Sequence, residues 1–97
     1  MNPIPARYKF NASETFWRNF HALSPEQKDL TRLAWAKFKE NPFDARLRPH
    51  KIHALSARAG ETILAIVIDR DLRVVFCVRG DIIYSIDIGT HSIYGKG

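Results

Sequence analysis

The sequence offers little that could crosslink the chain or hold it in a membrane. Cys77 is the only cysteine and lies within an apolar run, residues 74–78, so an internal disulfide is excluded and a structural core thiol is expected. No run of about 18 apolar residues is present that could span a membrane. The first five residues lack the basic and apolar blocks of a secretory signal peptide, which predicts a cytoplasmic protein.

Acidic residues are missing from residues 45–60. This stretch instead carries four basic residues and two histidines: Arg46, Arg48, Lys51, Arg58, His50 and His53. The formal net charge is +5, and residues 1–60 contain eleven Lys and Arg against five Asp and Glu. Such a stretch attracts polyanions, of which phosphate backbones are the commonest in a cytoplasm. A solvated basic loop is the simpler alternative.

The length of 97 residues and the 45% hydrophobic content predict one domain, residues 1–97, with a modest core. Polar and apolar residues alternate over residues 7–11, which predicts a first strand. Cap candidates at residues 11–14 then begin a short first helix, whose Trp17 is expected in the protein core. Ser24-Pro25 begins a second helix, which Asn41-Pro42 ends. Its core stripe is expected to contain Leu30, Leu33, Ala34 and Phe38, with Trp35 on the flank.

Three strands follow, over residues 62–68, 72–78 and 82–88, with short turns between them. The predicted class is α+β in the order βααβββ, with a helical hairpin packed on a small, twisted, largely antiparallel four-stranded sheet. In the last strand the apolar face is expected to pack on the helices; its members are Ile82, Tyr84, Ile86 and Ile88.

Four features of the chain come in an order typical of one toxin family. They are Asn41-Pro42 after the second helix, the basic segment with its histidines, Arg73 in the third strand, and the closing run Ile88-Gly89-Thr90-His91-Ser92-Ile93-Tyr94. Over nearly its whole length the chain resembles the RelE/ParE superfamily of type II toxins, and it is most similar to the YafQ-like branch. The resemblance implies a toxin that cleaves ribosome-bound mRNA and is neutralised by a cognate antitoxin.

Carried over by position, the resemblance implies that His91 and one of His50 or His53 act in proton transfer. It implies an acidic catalytic position at Asp69 and a phosphate-holding position at Arg73. Tyr94 corresponds to an aromatic used in stacking or catalysis, and the remaining RNA contacts are expected from Arg46, Arg48, Lys51, Arg58 and Arg70. The chain departs from many relatives in the second strand, where a further Arg or His is replaced by Ala65, Ile66 and Val67.

The residue types fit this chemistry without a metal or other cofactor. A histidine can donate or accept a proton near neutral pH, and an arginine fork suits a phosphate. If their segment is extended, His50 and His53 point to opposite faces, so only one shares a site with His91; His53 is slightly preferred because it lies nearer the sheet. No pair of histidines has the helical i, i+4 spacing of a metal site, so no metal is expected.

Two other functions stay open. One is a non-catalytic inhibitor of DNA gyrase like ParE; the other is an inactive, antitoxin-binding module, which the apolar second strand favours. In every case we expect an acidic or amphipathic antitoxin segment across the basic face, and a toxin–antitoxin hetero-oligomer that binds operator DNA. Replacing Arg73 with Ala is predicted to abolish toxicity and to leave the melting temperature nearly unchanged.

Overall fold

The computed structural model describes residues 8–94, with His91 described by its backbone alone. The elements in chain order are β1 (Lys9–Ala12), α1 (Glu14–His21), α2 (Pro25–Glu40), β2 (His50–Lys51), α3 (His53–Ala59), β3 (Leu64–Asp69), β4 (Leu72–Arg79) and β5 (Ile82–Gly89). Short 3₁₀ turns, Ala45–Leu47 and His91–Tyr94, follow α2 and β5. The predicted α+β class is confirmed. Arg7, at the start of the predicted first strand, lies outside the described residues.

Serine side chains begin both predicted helices. The Ser13 hydroxyl accepts a hydrogen bond from the Phe16 amide and donates to the Ile86 carbonyl of β5 at 2.6 Å. Ser24 and Gln27 form a reciprocal capping box at the start of α2. These contacts satisfy amides that the first helical turn leaves without partners. The cap of α1 therefore also fastens that helix to the sheet.

The sheet contains five strands in the order β1-β5-β4-β3-β2, where the sequence predicted four. Strands β2 to β5 form antiparallel neighbours, whereas β1 pairs parallel with β5, with Lys9 opposite Ile82. The additional strand, β2, is only two residues long, and His50 and Lys51 pair with Ala65 and Leu64. Such a short strand has no periodic pattern of its own to reveal it in the sequence.

Part of the basic segment is helical, which corrects the prediction of an extended loop. Helix α3 reads HALSARA and ends at Gly60, which has a left-handed φ of 73°. No side chain caps its start. Alanine favours helix, and glycine readily adopts the left-handed conformation that ends one. The alanines and Gly60 were the available sequence signals for this helix.

Apolar side chains are buried on both faces of the sheet. The face toward α1 and α2 holds a large cluster that includes Phe16, Phe38, Phe76 and Ile83. The opposite face, called here the α3 face, holds a smaller cluster of Ile52, Ile63, Ala65, Val75 and Cys77. Because β3 and β4 are covered on both sides, their sequences are nearly continuous apolar runs.

A β-bulge changes which way the residues of β5 face. Val75 pairs with Asp87 and Phe76 pairs with Ser85, so Ile86 is the extra residue. Tyr84 and Ile86 pack on the α3 face, whereas Ile83 and Ile88 pack toward α1 and α2. The predicted single apolar face of Ile82, Tyr84, Ile86 and Ile88 is therefore wrong, because an inserted residue reverses the alternation beyond it.

The buried stripe of α2 is rotated from the predicted one. Ala34 and Phe38 are buried as expected, together with Thr31, but Leu33 is 63% exposed and Leu30 37% exposed. Trp17 of α1, predicted to be in the core, is 48% exposed. The helical hairpin therefore presents large apolar side chains to solvent. Within residues 8–94, no helix is long and apolar enough to cross a membrane.

Candidate active site

Three chain segments bring predicted site residues to one end of the sheet. Arg73, near the start of β4, pairs with Val67 of β3 and with Gly89 of β5. Asp69 ends β3, directly across the turn from Leu72. The backbone of His91 lies two residues beyond Gly89, at the start of the 3₁₀ turn. The side chain of His91 lies outside what the structure describes, so its direction stays a prediction.

The β3–β4 turn holds the Arg73 guanidinium. Nη1 donates to the carbonyls of Asp69 and Arg70, each at 2.9 Å, and more weakly to that of Leu72 at 3.4 Å. Arg73 is half-buried, on the α3 face between β3 and β5. A cation with one nitrogen fixed by carbonyl groups is positioned before any ligand arrives, while its planar fork leaves further donors to bind a phosphate.

Tyr94 places a neutral hydroxyl beside that guanidinium. Burial raises the pKa of Tyr94, and the charge of Arg73 together with a hydrogen bond from it opposes this rise in part. The phenol is therefore protonated at neutral pH and acts as a hydrogen-bonding group rather than as a charged base. Arg58 of α3 donates from Nη2 to the Tyr94 carbonyl at 3.2 Å. This bond links α3 to the 3₁₀ turn that carries His91.

The histidines of the basic segment lie apart from Arg73. His50 pairs with Ala65, and Ala65 in turn pairs with Val75, so His50 belongs to the α3 face by register. It is two strands and two residues away from Arg73, which corresponds to a Cα separation of about 12 Å. His53 is exposed at the start of α3. The two histidines therefore lie on different elements, not on opposite faces of one extended segment.

One nitrogen of His50 is already occupied. Nδ1 lies 2.8 Å from the carbonyl oxygen of Arg48. Because a carbonyl only accepts, Nδ1 carries the proton in the neutral ring and Nε2 is left as the acceptor. His50 could thus serve as a general base through Nε2, with its ring oriented by the backbone.

The cations predicted to contact RNA differ in whether a carboxylate already pairs with them. Arg46 forms a two-pronged ion pair with Asp44, with distances of 3.0 Å from Nε to Oδ1 and 2.7 Å from Nη2 to Oδ2. Hydrogen bonds from Arg46 lower the pKa of Asp44 to about 2. Asp44 lies immediately before the acid-free stretch and offsets the charge of Arg46. The remaining predicted cations are exposed: Arg48, Lys51, Arg58 and Arg70.

Two concave sites lie on opposite sides of the sheet. A groove of about 220 Å³ between α1 and α2 is walled mainly by aromatic side chains, among them Phe16, Trp17 and Trp35. A cavity of about 270 Å³ on the α3 face lies next to the strand that carries Arg73, and Arg58 and Asp87 line it. Asp87 is not among the site residues predicted from sequence, because only the bulge in β5 brings it to that face. Among the side chains that the structure describes, which do not include that of His91, no group of three or more His, Cys, Asp and Glu could hold a metal ion.

No family model matches the sequence, and no curated protein sequence does. Solved structures do match. YafQ from Escherichia coli superposes with a TM-score of 0.72 at 10% identity, covering 93% of this chain and 100% of YafQ. RelE from the RelE–RelB complex of the archaeon Pyrococcus horikoshii gives a TM-score of 0.67 at 11% identity, covering 93% and 98%.

A copper-bound mutant toxin from Helicobacter pylori gives a TM-score of 0.61 at 20% identity, covering 90% of this chain and 98% of that one. At these identities the similarity establishes architecture, and function has to be argued from the site itself. The helical hairpin, the meander β3 to β5 and the parallel β1 account for the match over nearly the whole chain. The chain has the fold of the RelE/YafQ-like toxins.

Proposed function

We propose that this protein is the toxin of a type II toxin–antitoxin system and acts in the cytoplasm as a metal-independent endoribonuclease on ribosome-bound mRNA. The observation that carries the proposal is the Arg73 guanidinium, fixed by turn carbonyls beside the Tyr94 hydroxyl at the sheet end where His91 follows β5. A fixed cation of this kind stabilises the charge that develops on a phosphorane.

The reaction requires three roles. A base removes the proton of the 2′-hydroxyl, the 2′-oxygen attacks phosphorus, and an acid protonates the departing 5′-oxygen, which leaves a 2′,3′-cyclic phosphate. Arg73 holds the phosphate, and His91 with His50 or His53 supplies the proton transfers. His50 has an acceptor nitrogen on the α3 face, whereas His53 offers an exposed ring at the start of α3. Asp69 orients a histidine or accepts a proton.

Cleavage in translating extracts containing EDTA tests this activity. We expect mRNA fragments ending in a 2′,3′-cyclic phosphate with the wild-type protein, and a loss of about 10²–10⁴ in rate with His91→Gln, because one proton-transfer step is removed. The same mRNA free of ribosomes tests ribosome dependence. Intact mRNA at saturating wild-type protein would refute the endoribonuclease proposal.

A second candidate is a toxin that binds DNA gyrase without cleaving, or an inactive module that only binds an antitoxin. The observation in its favour is that Ala65 and Val67, which share the α3 face with Arg73, add no cation beside it. Under this alternative His91→Gln keeps its full toxicity, and purified protein blocks gyrase supercoiling. A gyrase assay beside the mRNA assay therefore separates the two.

We also propose a cognate antitoxin that covers this surface with an acidic, amphipathic segment. The exposed cations of residues 48–58, on the side of the sheet that carries α3, supply charge complementarity. The exposed Trp17 and Leu33 lie on the helical hairpin across the sheet and offer a separate apolar area of the kind that partners cover. The similar Pyrococcus toxin was solved as a RelE–RelB complex. Co-expression with the neighbouring small reading frame should restore growth and give a co-purifying complex, which can then be tested for operator DNA binding. Lack of any such partner would contradict the toxin assignment.

A further inference from the structure

The cavity on the α3 face has the size and lining of a site for a single ring system. Its volume is about 270 Å³, slightly below the usual range for drug-sized ligands. Its apolar walls come from α3, the sheet and the 3₁₀ turn: Leu55, Ile63, Val75, Ile86 and Ile93. The charged groups in its lining are Arg58 and Asp87. Apolar walls with a few placed polar groups suit a flat heteroaromatic ring.

The bulge in β5 explains why a carboxylate lies in this lining. With Ile86 inserted, Asp87 pairs with Val75 on the α3 face. Asp87 Oδ1 accepts from Asn19 Nδ2 at 2.7 Å and from the Ile88 amide at 2.8 Å. Within the described part of the chain, Oδ1 is the acceptor of both hydrogen bonds. Because Asn19 belongs to α1, Oδ1 is held toward that helix, and Oδ2 is the one carboxylate oxygen that remains to accept from a ligand in the cavity.

The cavity also lies within one nucleotide of the proposed cleavage centre. Val75, in the cavity wall, is two residues along β4 from Arg73, and a strand advances about 7 Å over two residues. Arg58 lines the cavity and also contacts the backbone of Tyr94. A nucleotide with its phosphate at Arg73 can thus place its base between these walls.

We infer that this cavity binds one base of the RNA next to the scissile phosphate, and that Asp87 selects a base that presents N–H donors, guanine above the others. The inference rests on the proposed endoribonuclease function. An ionised carboxylate only accepts hydrogen bonds. The pairing edge of guanine carries two adjacent N–H donors, whereas that of uracil has its single N–H between carbonyl oxygens that the carboxylate repels. Single-stranded RNA exposes these edges for reading.

Mapping of cleavage sites with matched variants tests the inference. We expect the wild-type protein to enrich guanine at one fixed position, and Asp87→Asn to reduce that preference by about 5- to 150-fold, because an amide offers both a donor and an acceptor. The Asn19 contact can persist to the amide oxygen, and a thermal melt checks the fold. Asp81→Asn, in the exposed β4–β5 turn at the other end of β5, is the matched control and should leave the preference unchanged. Identical base profiles for wild type and Asp87→Asn, or no base enrichment, would overturn the inference.

Binding of nucleoside monophosphates keeps this test separate from cleavage. If the wild-type protein cuts no mRNA, the proposed function fails, but the cavity can still be examined by titrating GMP and UMP and following the amides of Val75 and Asp87 by NMR. Tighter binding of GMP than of UMP, lost in Asp87→Asn, supports base selection by the cavity. Equal binding of both nucleotides by the wild-type protein refutes it.

Discussion

Replacing Arg73 with Ala should cost stability as well as activity. Nη1 donates to three carbonyls of the β3–β4 turn, two at 2.9 Å and one at 3.4 Å. Hydrogen bonds to charged groups contribute about 1.5–3 kcal/mol when well formed, and Arg73 is half-buried, so we expect Arg73→Ala to lower the free energy of unfolding by about 2–3 kcal/mol. For a domain of this size the melting temperature should fall by about 10–20 °C.

This expectation replaces the one drawn from sequence, which was that Arg73→Ala would leave the melting temperature nearly unchanged. The sequence placed Arg73 on a strand face but did not show its bonds to the turn. Arg73→Lys separates the two roles, because an ammonium group can donate to the same carbonyls and should recover about half of the lost stability without supplying a planar fork. Both variants should lose about 10²–10³ in cleavage rate.

The assay pairs thermal unfolding, followed by circular dichroism, with single-turnover cleavage of mRNA. Arg70→Ala is the stability control, because its exposed side chain is not part of the turn contacts and its loss should change the free energy of unfolding by about 0.5 kcal/mol or less. If Arg73→Ala had the same melting temperature as the wild type, the hydrogen bonds from Arg73 to the turn would contribute nothing to stability. If Arg73→Lys cleaved mRNA at the wild-type rate, a point charge at this position would be sufficient to hold the phosphate.

Two further predictions follow from the geometry. Asp44 has a folded pKa of about 2 against an ordinary 3.8, so its pairing stabilises the fold above pH 3.8 and this contribution is lost as the pH falls through 2. Arg46→Ala should raise that pKa in a carboxyl NMR titration and flatten the loss of stability between pH 4 and 2; a pKa that stays near 2 would contradict the pairing. In Gly89→Ala the new Cβ would lie 2.6 Å from Ile93 Cγ2, displacing the turn His91–Tyr94. We expect reduced cleavage with a largely retained fold, and an unaffected rate would show that the position of this turn does not matter.

The order of the helices and the main strands was predictable because local signals determine it. Ser24 with Gln27 begins α2, Asn41 with Pro42 ends it, and short polar turns separate the last strands. The short strand β2 and helix α3 were not predictable by the same means. Strand β2 exists only through its pairing with β3, and α3 begins without a side-chain cap.

The candidate site was only partly predictable. Arg73, Asp69 and the start of the His91 turn share one sheet end because β3, β4 and β5 form a meander, which their order in the sequence implies. The bulge in β5 depends on tertiary packing, so the sequence did not show that Asp87 lines the α3 face. The pairing of Arg46 with Asp44, by contrast, could have been suspected from their spacing of two residues.

The parallel pairing of β1 with β5 sets the order in which the chain can fold during synthesis. Lys9 pairs with Ile82, so β1 cannot pair until more than 70 further residues have been synthesised. At the usual 5–20 residues per second this is a delay of about 4–15 s. Until then β5 and the sheet end bearing Arg73 cannot be completed, and the contact from Ser13 to Ile86 cannot form. If the chain acts as the endoribonuclease proposed above, it therefore becomes active on mRNA only late in its own translation.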